Sequence, residues 1–255
     1  MIKVLSIAGS DPSSGAGIQA DLKVFQALGV YGMAIPVALT AQNSRGVSAI
    51  YTAGPKAFSA QVDALLSDIT PDALKTGMLL MPWAVRTVAK ATTNYGIKNL
   101  IIDPVIRSSS GEVLLKPDAI RSLRKNLLPL ALVLTPNIPE AETLAGLKIK
   151  SKQDMDLAAG QLLDMGPQYI LIKGGHARGP AVDTLYGGKT VLSFSTKRRK
   201  GDFHGTGCVL SSAITVFIAQ GFPVEKAVEK AKLFVDSLLI TAKPIGKSGT
   251  KYFQL

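Results

Sequence analysis

The sequence predicts an α/β fold built on a mostly parallel sheet. Short apolar runs, each closed by turn residues, alternate with segments of helical period along the whole chain, and that alternation marks parallel strands joined by helices. The composition agrees. Of 255 residues 47% are hydrophobic and 18% charged, enough for a large core and too apolar for a disordered or collagen-like chain.

The elements follow in order. Residues 3–8 (KVLSIA) are continuously apolar and run into Gly9-Ser10-Asp11-Pro12, as a strand buried on both faces does. Residues 13–17 form a loop of small residues. Ile18, Leu22, Phe25 and Leu28 then share one helical face, with Gly29 as the stop. Residues 31–40 and 49–53 are strand-like. A helix over 55–67 has Pro55 in its first turn. Residues 73–76 make a short strand, 83–95 a helix stopped by Gly96, and 99–103 (NLIID) a strand closed by Pro104. A helix over 117–127, a strand over 131–134 and a short helix over 139–145 follow. Ser151 caps a helix running to 165. Residues 169–173 (YILIK) are a strand. Residues 184–186 and 190–195 flank Gly187-Gly188 as a hairpin. Two helices, 205–221 and 223–241, precede a polar, irregular tail. No repeat, low-complexity stretch or linker interrupts the series, so residues 1–255 are expected to form a single domain.

Net charge is +11, and its excess is spread along the chain; Lys197-Arg198-Arg199-Lys200 is its one run. That balance suits anionic ligands such as phosphates and also weak nonspecific nucleic-acid binding. One cysteine excludes a disulfide framework, and two histidines far apart make a His-rich zinc site implausible. No signal segment opens the chain and no apolar run reaches the ~20 residues of a membrane helix. A soluble cytoplasmic protein is expected.

Ligands of open α/β sheets sit beyond the carboxyl ends of the strands. Segments 9–17, 40–43, 76–78, 103–111, 135–140 and 173–176 therefore converge on one edge. Gly15-Ala16-Gly17-Ile18-Gln19-Ala20 matches G-x-G-x-x-A, but no acidic residue stands about 20 positions on, and no P-loop lysine pattern exists. By itself this is a glycine turn before an ordinary helix. Gly205, Thr206, Gly207 and Cys208 open a helix rich in small residues. Bare N–H groups there make an anion site, and a thiol there is expected to have a depressed pKa and to act as base or nucleophile. A tight turn with a structural cysteine explains the motif equally well. Asn137 and Glu140 follow a strand and suit magnesium-bound water or, more commonly, a helix cap with an acidic first turn. Lys173 brings a cation to a strand end beside Gly174-Gly175-His176. The arm 197–200 is either solvated or a phosphate clamp.

Taken together, Ala8-Gly9-Ser10-Asp11-Pro12, Gly15 to Asp21, Thr40-Ala41-Gln42-Asn43, Lys75-Thr76-Gly77-Met78-Leu79, Asp103-Pro104-Val105, Thr135-Pro136-Asn137 with Glu140-Ala141, Lys173-Gly174-Gly175-His176 and His204-Gly205-Thr206-Gly207-Cys208 resemble the hydroxymethylpyrimidine kinase / hydroxymethylpyrimidine phosphate kinase family of thiamine biosynthesis. The likeness runs in order from residue 1 to about 240. It implies a ribokinase-like three-layer sandwich and phosphorylation of 4-amino-5-hydroxymethyl-2-methylpyrimidine, then of its monophosphate, by ATP with Mg2+. It implies that Gln42 reads the aminopyrimidine edge and that Ala16, Asp21, Met78 and Val105 line the pyrimidine pocket. Asn137 and Lys173 would serve the nucleotide, and Glu140 the magnesium through water. Residues 205–208 would form the anion hole, with Cys208 where ribokinase relatives carry an aspartate base. A homodimer is implied, with no nucleic-acid or membrane partner. The family pattern is departed from at residues 107–111, where no lysine precedes Ser110-Gly111 and Arg107 is the nearby charge, at 200–203 and at 246–250, which lacks the expected histidine. Which of Arg107, Lys197, Arg198, Arg199 or Lys200 contacts phosphates stays open. Pyridoxal kinase, a nucleic-acid-binding module and a non-catalytic pyrimidine sensor are the competing readings.

Overall fold

The computed structural model describes residues 1–108, 111–174, 181–188 and 190–255. Among these, nine strands make one sheet: β1 Lys3–Ser10, β2 Tyr31–Asn43, β3 Gly46–Thr52, β4 Ala73–Thr76, β5 Leu100–Ile102, β6 Val133–Leu134, β7 Tyr169–Lys173, β8 Ala181–Gly187 and β9 Thr190–Thr196. Their order is β3-β2-β1-β4-β5-β6-β7-β8-β9. The pairs from β2 through β7 are parallel, while β3, β8 and β9 join antiparallel at the two edges.

Strand side chains alternate between faces, and the alternation sorts the helices into two layers. Leu5, Ile7, Leu74, Leu100, Ile102 and Ile170 pack against α2 (Pro55–Leu66), α3 (Pro82–Asn94), α4 (Pro117–Ser122), α5 (Ile138–Ala145) and α6 (Lys152–Asp164). Ile101, Val133 and Leu171 face α1 (Gly17–Ala27), α7 (Thr206–Ala219) and α8 (Val224–Thr241) on the other side. Phe25 and Phe58, each 0% exposed, anchor opposite layers; a large side chain fully buried contributes roughly 1.5–3 kcal/mol. The expected three-layer architecture is what the chain adopts.

Two segments differ from expectation. The helix over 117–127 ends as regular α-helix at Ser122 and continues as a wider π-turn, Leu123–Leu127, then a 3-10 turn, Leu128–Leu130. Asn126 Nδ2 bonds Ser122 O at 3.0 Å and competes for that carbonyl, and Pro129 has no N–H to continue the ladder. The tail is not irregular throughout. Strands β10 (Lys243–Pro244) and β11 (Lys251–Tyr252) pair with each other, and Lys251 bonds Asp202 and His204 through its backbone. No helix among the described residues is long and apolar enough to cross a membrane.

The chain leaves β1 through α1 to β2 in one direction, and the remaining strands build outward in the other. This reversal opens a crevice at the carboxyl end of β1, between its two neighbours.

Candidate active site

Three polar strand residues, Ser6, Lys75 and Lys173, and Asp103 just past β5 face the α1–α7–α8 layer. Ser6 on β1 and Lys75 on β4 meet Asp21, which lies on the sheet-facing side of α1 one turn beyond its start. Lys75 Nζ stands 2.8 Å from both Asp21 oxygens. Ser6 Oγ donates to the same carboxylate at 2.5 Å and Ser212 Oγ, from α7, at 2.7 Å. Lys75 and Asp21 are each 0% exposed. Burial alone would lower the Lys75 pKa; Asp21 and more distant negative groups outweigh it, and the ammonium is held above its ordinary value. Asp21 was expected to line the pyrimidine pocket. Its carboxylate instead lies beneath the floor, bonded to three partners, because its helix position turns it toward Lys75.

One strand over, Asp103 follows β5 and Lys173 ends β7. Lys173 Nζ bonds Asp103 Oδ1 at 2.9 Å, and Ser211 Oγ bonds Oδ2 at 3.2 Å. Desolvation would lower the Lys173 pKa, but Asp103 and then Glu140 raise it further, so it remains a cation. Asp183 accepts from Gly174 N at 3.0 Å and pairs with Lys232 of α8, which fixes the end of β7. Gly175 and His176 lie outside the described residues.

The amino end of α7 sits above both pairs. Gly205 has φ +79°, and a Cβ there would lie 1.8 Å from Gly15 O. Only glycine fits this approach of helix to loop. No side chain caps the helix, so the first N–H groups are left for an anion. Gly207 faces the charged pair: a Cβ would lie 3.3 Å from Lys173 Nζ and 3.7 Å from Asp103 Oδ2. Unlike Gly205, Gly207 has no positive φ. The thiol of Cys208 contradicts the expected depressed pKa. Burial pushes it up to about 11; Lys75 and the N–H of Gly17 pull it down, while Asp21 and Asp103 add to the rise. Desolvation, with Asp21 and Asp103 beside it, outweighs the pull of Lys75 and Gly17, and the thiol is neutral at pH 7.

Asn137 and Glu140 form a reciprocal cap at α5. Glu140 N bonds Asn137 Oδ1 at 2.9 Å, and Asn137 N bonds Glu140 Oε2 at 2.8 Å. Glu140 Oε1 also accepts from Ile106 N at 3.2 Å. Burial and Asp103 raise the Glu140 pKa against Lys173 and these N–H bonds. The helix-cap alternative describes both residues; the Asn137 Nδ2 group is what remains to meet a ligand.

The other expected pocket residues assemble near β1 and β2. Met78 is packed against Gly9, where a Cβ would collide with its Cε at 2.3 Å. Met78, Leu80, Ala38 and Leu114 form a small apolar cluster joined by Val105. Val105 has φ +38° and Leu80 φ +55°, costly backbone for bulky residues and of the kind concentrated at ligand sites. Ala16 stands at the start of α1, its N–H bonded to Asp11 Oδ2 at 2.9 Å. Gln42 is not in a loop after the strand. It lies in β2 itself, just past a register shift between Ala41 and Gln42 that re-aims the side chain. It lines a groove of about 600 Å3 with Pro12, Ser13, Ile245 and Tyr252.

Residues 197–200 lie between β9 and α7, largely exposed; Arg199 pairs with Asp236 of α8 at 3.3 Å. Arg107 donates to Gly111 O at 3.0 Å. The single-sequence reading gave no separate role to Asp11, His204, Lys75, Asp103 or Tyr252. Lys75, a charge inside the short strand Ala73–Thr76, was a usable signal. Tyr252 offered none.

The family model for phosphomethylpyrimidine kinase matches residues 11–252. The chain belongs to the phosphomethylpyrimidine kinase family. It is accordingly a phosphotransferase on a ribokinase-like fold. A hydroxymethylpyrimidine/phosphomethylpyrimidine kinase of Rhizobium meliloti is 42% identical over 241 residues, 93% of this chain and 90% of that protein. The thiamine biosynthesis bifunctional protein of Geobacter sulfurreducens is 42% identical over 246 residues; the match covers 96% of this chain and half of that protein's length. Among solved structures, a phosphomethylpyrimidine kinase from Clostridium difficile superposes with TM-score 0.83 at 43% identity, covering 93% of this chain and 99% of its own. A pyridoxal kinase from Staphylococcus aureus in complex with ADP superposes with TM-score 0.92 at 35% identity, covering 100% and 93%. The match thus spans the site from the Asp11 loop to Tyr252, and the solved relatives share the fold.

Proposed function

We propose that the protein transfers the γ-phosphoryl of ATP to the hydroxymethyl oxygen of 4-amino-5-hydroxymethyl-2-methylpyrimidine, and then a second phosphoryl to the monophosphate. The observation that carries the reading is the uncapped amino end of α7 over the Lys173–Asp103 pair, with Gly207 leaving room between them. Phosphoryl transfer passes through a loose, charge-rich transition state, so fixed N–H groups and a buried cation do most of what the reaction asks. Family membership and the relatives' names support the pyrimidine as acceptor.

The site's charges suit two acceptors of different charge. The alcohol must lose its proton as its oxygen bonds phosphorus, but a loose transition state delays that loss and asks little of a base. The monophosphate arrives as an anion. A neutral Cys208 adds no negative charge to either complex. Cys208→Asp is therefore expected to retain part of the alcohol reaction and to lose the monophosphate reaction by a further ~100-fold or more, the size of an electrostatic defect at a transferring phosphoryl. Comparing kcat/KM for both substrates checks this. Equal losses would reduce Cys208 to packing.

Magnesium fits this site through water rather than direct carboxylate ligation. The Glu140 oxygens accept backbone N–H groups, and those of Asp103 accept Lys173 and Ser211. Among the described residues no cluster of three metal-ligating side chains occurs. Phosphate oxygens and water would supply most of the shell, as is usual for Mg2+. The ion would neutralise phosphate charge; the chain's part is to orient its waters through Glu140.

Gln42→Leu is expected to raise KM for the pyrimidine far more than for ATP. Leaving a polar edge unpaired costs ~1–3 kcal/mol, about five- to 150-fold. Steady-state kinetics with each substrate varied decides it, and an unchanged pyrimidine KM removes Gln42 from the acceptor site.

Pyridoxal kinase is the second reading, favoured by the higher TM-score of the Staphylococcus aureus structure. ADP release measured with the pyrimidine alcohol, its monophosphate and pyridoxal separates the two. Turnover of pyridoxal alone overturns the pyrimidine reading. The expected homodimer rests on the family resemblance, and sedimentation equilibrium tests it.

A further inference from the structure

His204 stands beside Gln42 and Tyr252, two residues that line the groove, and its Nε2 atom meets two partners. Asp11 Oδ2 lies 2.8 Å away and the Gln42 amide 3.0 Å away. Burial alone would raise the Asp11 pKa; the bonds from His204 and Ser13 outweigh it and hold the carboxyl below its ordinary value. Asp11 is therefore a carboxylate, which only accepts, so the proton between it and His204 belongs to Nε2.

That proton decides the orientation of Gln42. The amide end 3.0 Å from His204 is Nε2, and two N–H groups cannot bond to each other. A half-turn of the amide resolves the conflict: the nitrogen then faces Thr40, and Oε1 faces His204, whose single Nε2–H is shared between Asp11 Oδ2 and Oε1 as a three-centre bond. Thr40 agrees with this arrangement. Its hydroxyl proton is committed to Ser10 O at 2.9 Å, which leaves its oxygen free to accept from the amide end 3.2 Å away. The imidazole itself is held in place. Tyr252 stands edge-on to it, with ring centres 5.3 Å apart, and a Cβ at Gly15 would lie 2.2 Å from His204 Cδ2.

We propose that His204, fixed by Asp11, is a positioning residue that locks the Gln42 amide in one orientation and so lets the site distinguish an aminopyrimidine from an oxopyrimidine. The proposal rests on the reading of Gln42 as the pyrimidine's partner. A 4-aminopyrimidine presents an amino donor beside a ring-nitrogen acceptor. Its 4-oxo counterpart presents a carbonyl acceptor beside a ring N–H donor, the reverse order. An amide free to turn over satisfies either. A locked amide, with one hydrogen bonded to Thr40 and one lone pair to His204, offers its remaining donor and acceptor in one order only.

The test compares kcat/KM for 4-amino-5-hydroxymethyl-2-methylpyrimidine and its 4-oxo analogue in the wild type, His204→Leu, His204→Gln and Thr40→Val. The wild type is expected to prefer the amino compound by about 100-fold or more, because a mispaired polar edge is rejected strongly. In His204→Leu the preference should fall by at least about fivefold, through KM for the pyrimidine, with KM for ATP unchanged. His204→Gln keeps an N–H donor near the Nε2 position and should retain the preference; a merely structural histidine would not be rescued this way. Thr40→Val removes the opposite anchor and should weaken the preference even if His204→Leu does not fold. A preference that changes by less than about fivefold in folded His204→Leu and Thr40→Val, or that His204→Gln fails to retain, overturns the lock. No turnover of the amino alcohol by the wild type instead overturns the substrate reading, and the lock falls with it.

Discussion

Gly207→Val is expected to lower kcat with either pyrimidine by about 10²–10³-fold or more while the protein stays folded, the scale of losing a fixed donor to a developing charge. Already a Cβ at this position would press on Lys173 Nζ at 3.3 Å. The valine branches would fill the space between that ammonium and the first N–H groups of α7, where the proposed reaction places the transferring phosphoryl. Gly207 has ordinary helical backbone and no positive φ, so the loss comes from blocked space and not from strain. Gly207→Ala should accordingly be partly active, because the end of the Lys173 side chain can give way. Gly205→Ala should be the more damaging to folding, since its Cβ would strike the Gly15 carbonyl. Circular dichroism and thermal melts report the fold; ADP release reports turnover. Near-normal activity of folded Gly207→Val would remove the anion site from the amino end of α7.

Lys75→Met should give the largest stability loss of any single substitution considered. It leaves the Asp21 carboxylate fully buried with only Ser6 and Ser212 as partners. Breaking one side of a buried pair typically costs about 3–5 kcal/mol, whereas replacing both sides with apolar groups is often close to neutral. Lys75→Met/Asp21→Leu should therefore recover much of the loss in urea unfolding. Lys75 also opposes the rise in the Cys208 pKa, so the thiol of the single variant should titrate higher still. A double variant no more stable than Lys75→Met would mean that the pair is not the source of the cost.

These two expectations concern residues that the sequence treats very differently. Gly207 belongs to a motif that announces a helix start, a local signal that the sequence reads as an anion site or a tight turn with equal weight. Lys75 and Asp21 stand 54 residues apart. Each breaks an apolar pattern, but neither shows that it meets the other. The pocket role expected of Asp21 came from the family resemblance, which does not show its partner. The expected acidity of Cys208 failed similarly: a helix end lowers a thiol pKa, and only the packing of α7 on β4 and β5 reveals that desolvation and two buried carboxylates prevail. Asn137 and Glu140 show the opposite case, since a cap is a local device whose residues are three apart and legible without tertiary structure.

What the sequence by itself determined is whatever is periodic or local: the alternation of strands and helices, the parallel sheet, the crevice at its carboxyl edge, the uncapped glycine start of α7 and the family likeness carried by motifs in order. Those signals live within a few residues of one another, where hydrogen-bonding geometry and side-chain period act directly. The tertiary structure decided which charges meet: Asp21 with Lys75, Asp103 with Lys173, Asp11 with His204 and, through it, Gln42. It also brought Tyr252 from the tail to the front of the crevice. Coulomb energy and desolvation depend on distance and burial in space, and a chain written in one dimension holds neither until the sheet has set its neighbours side by side.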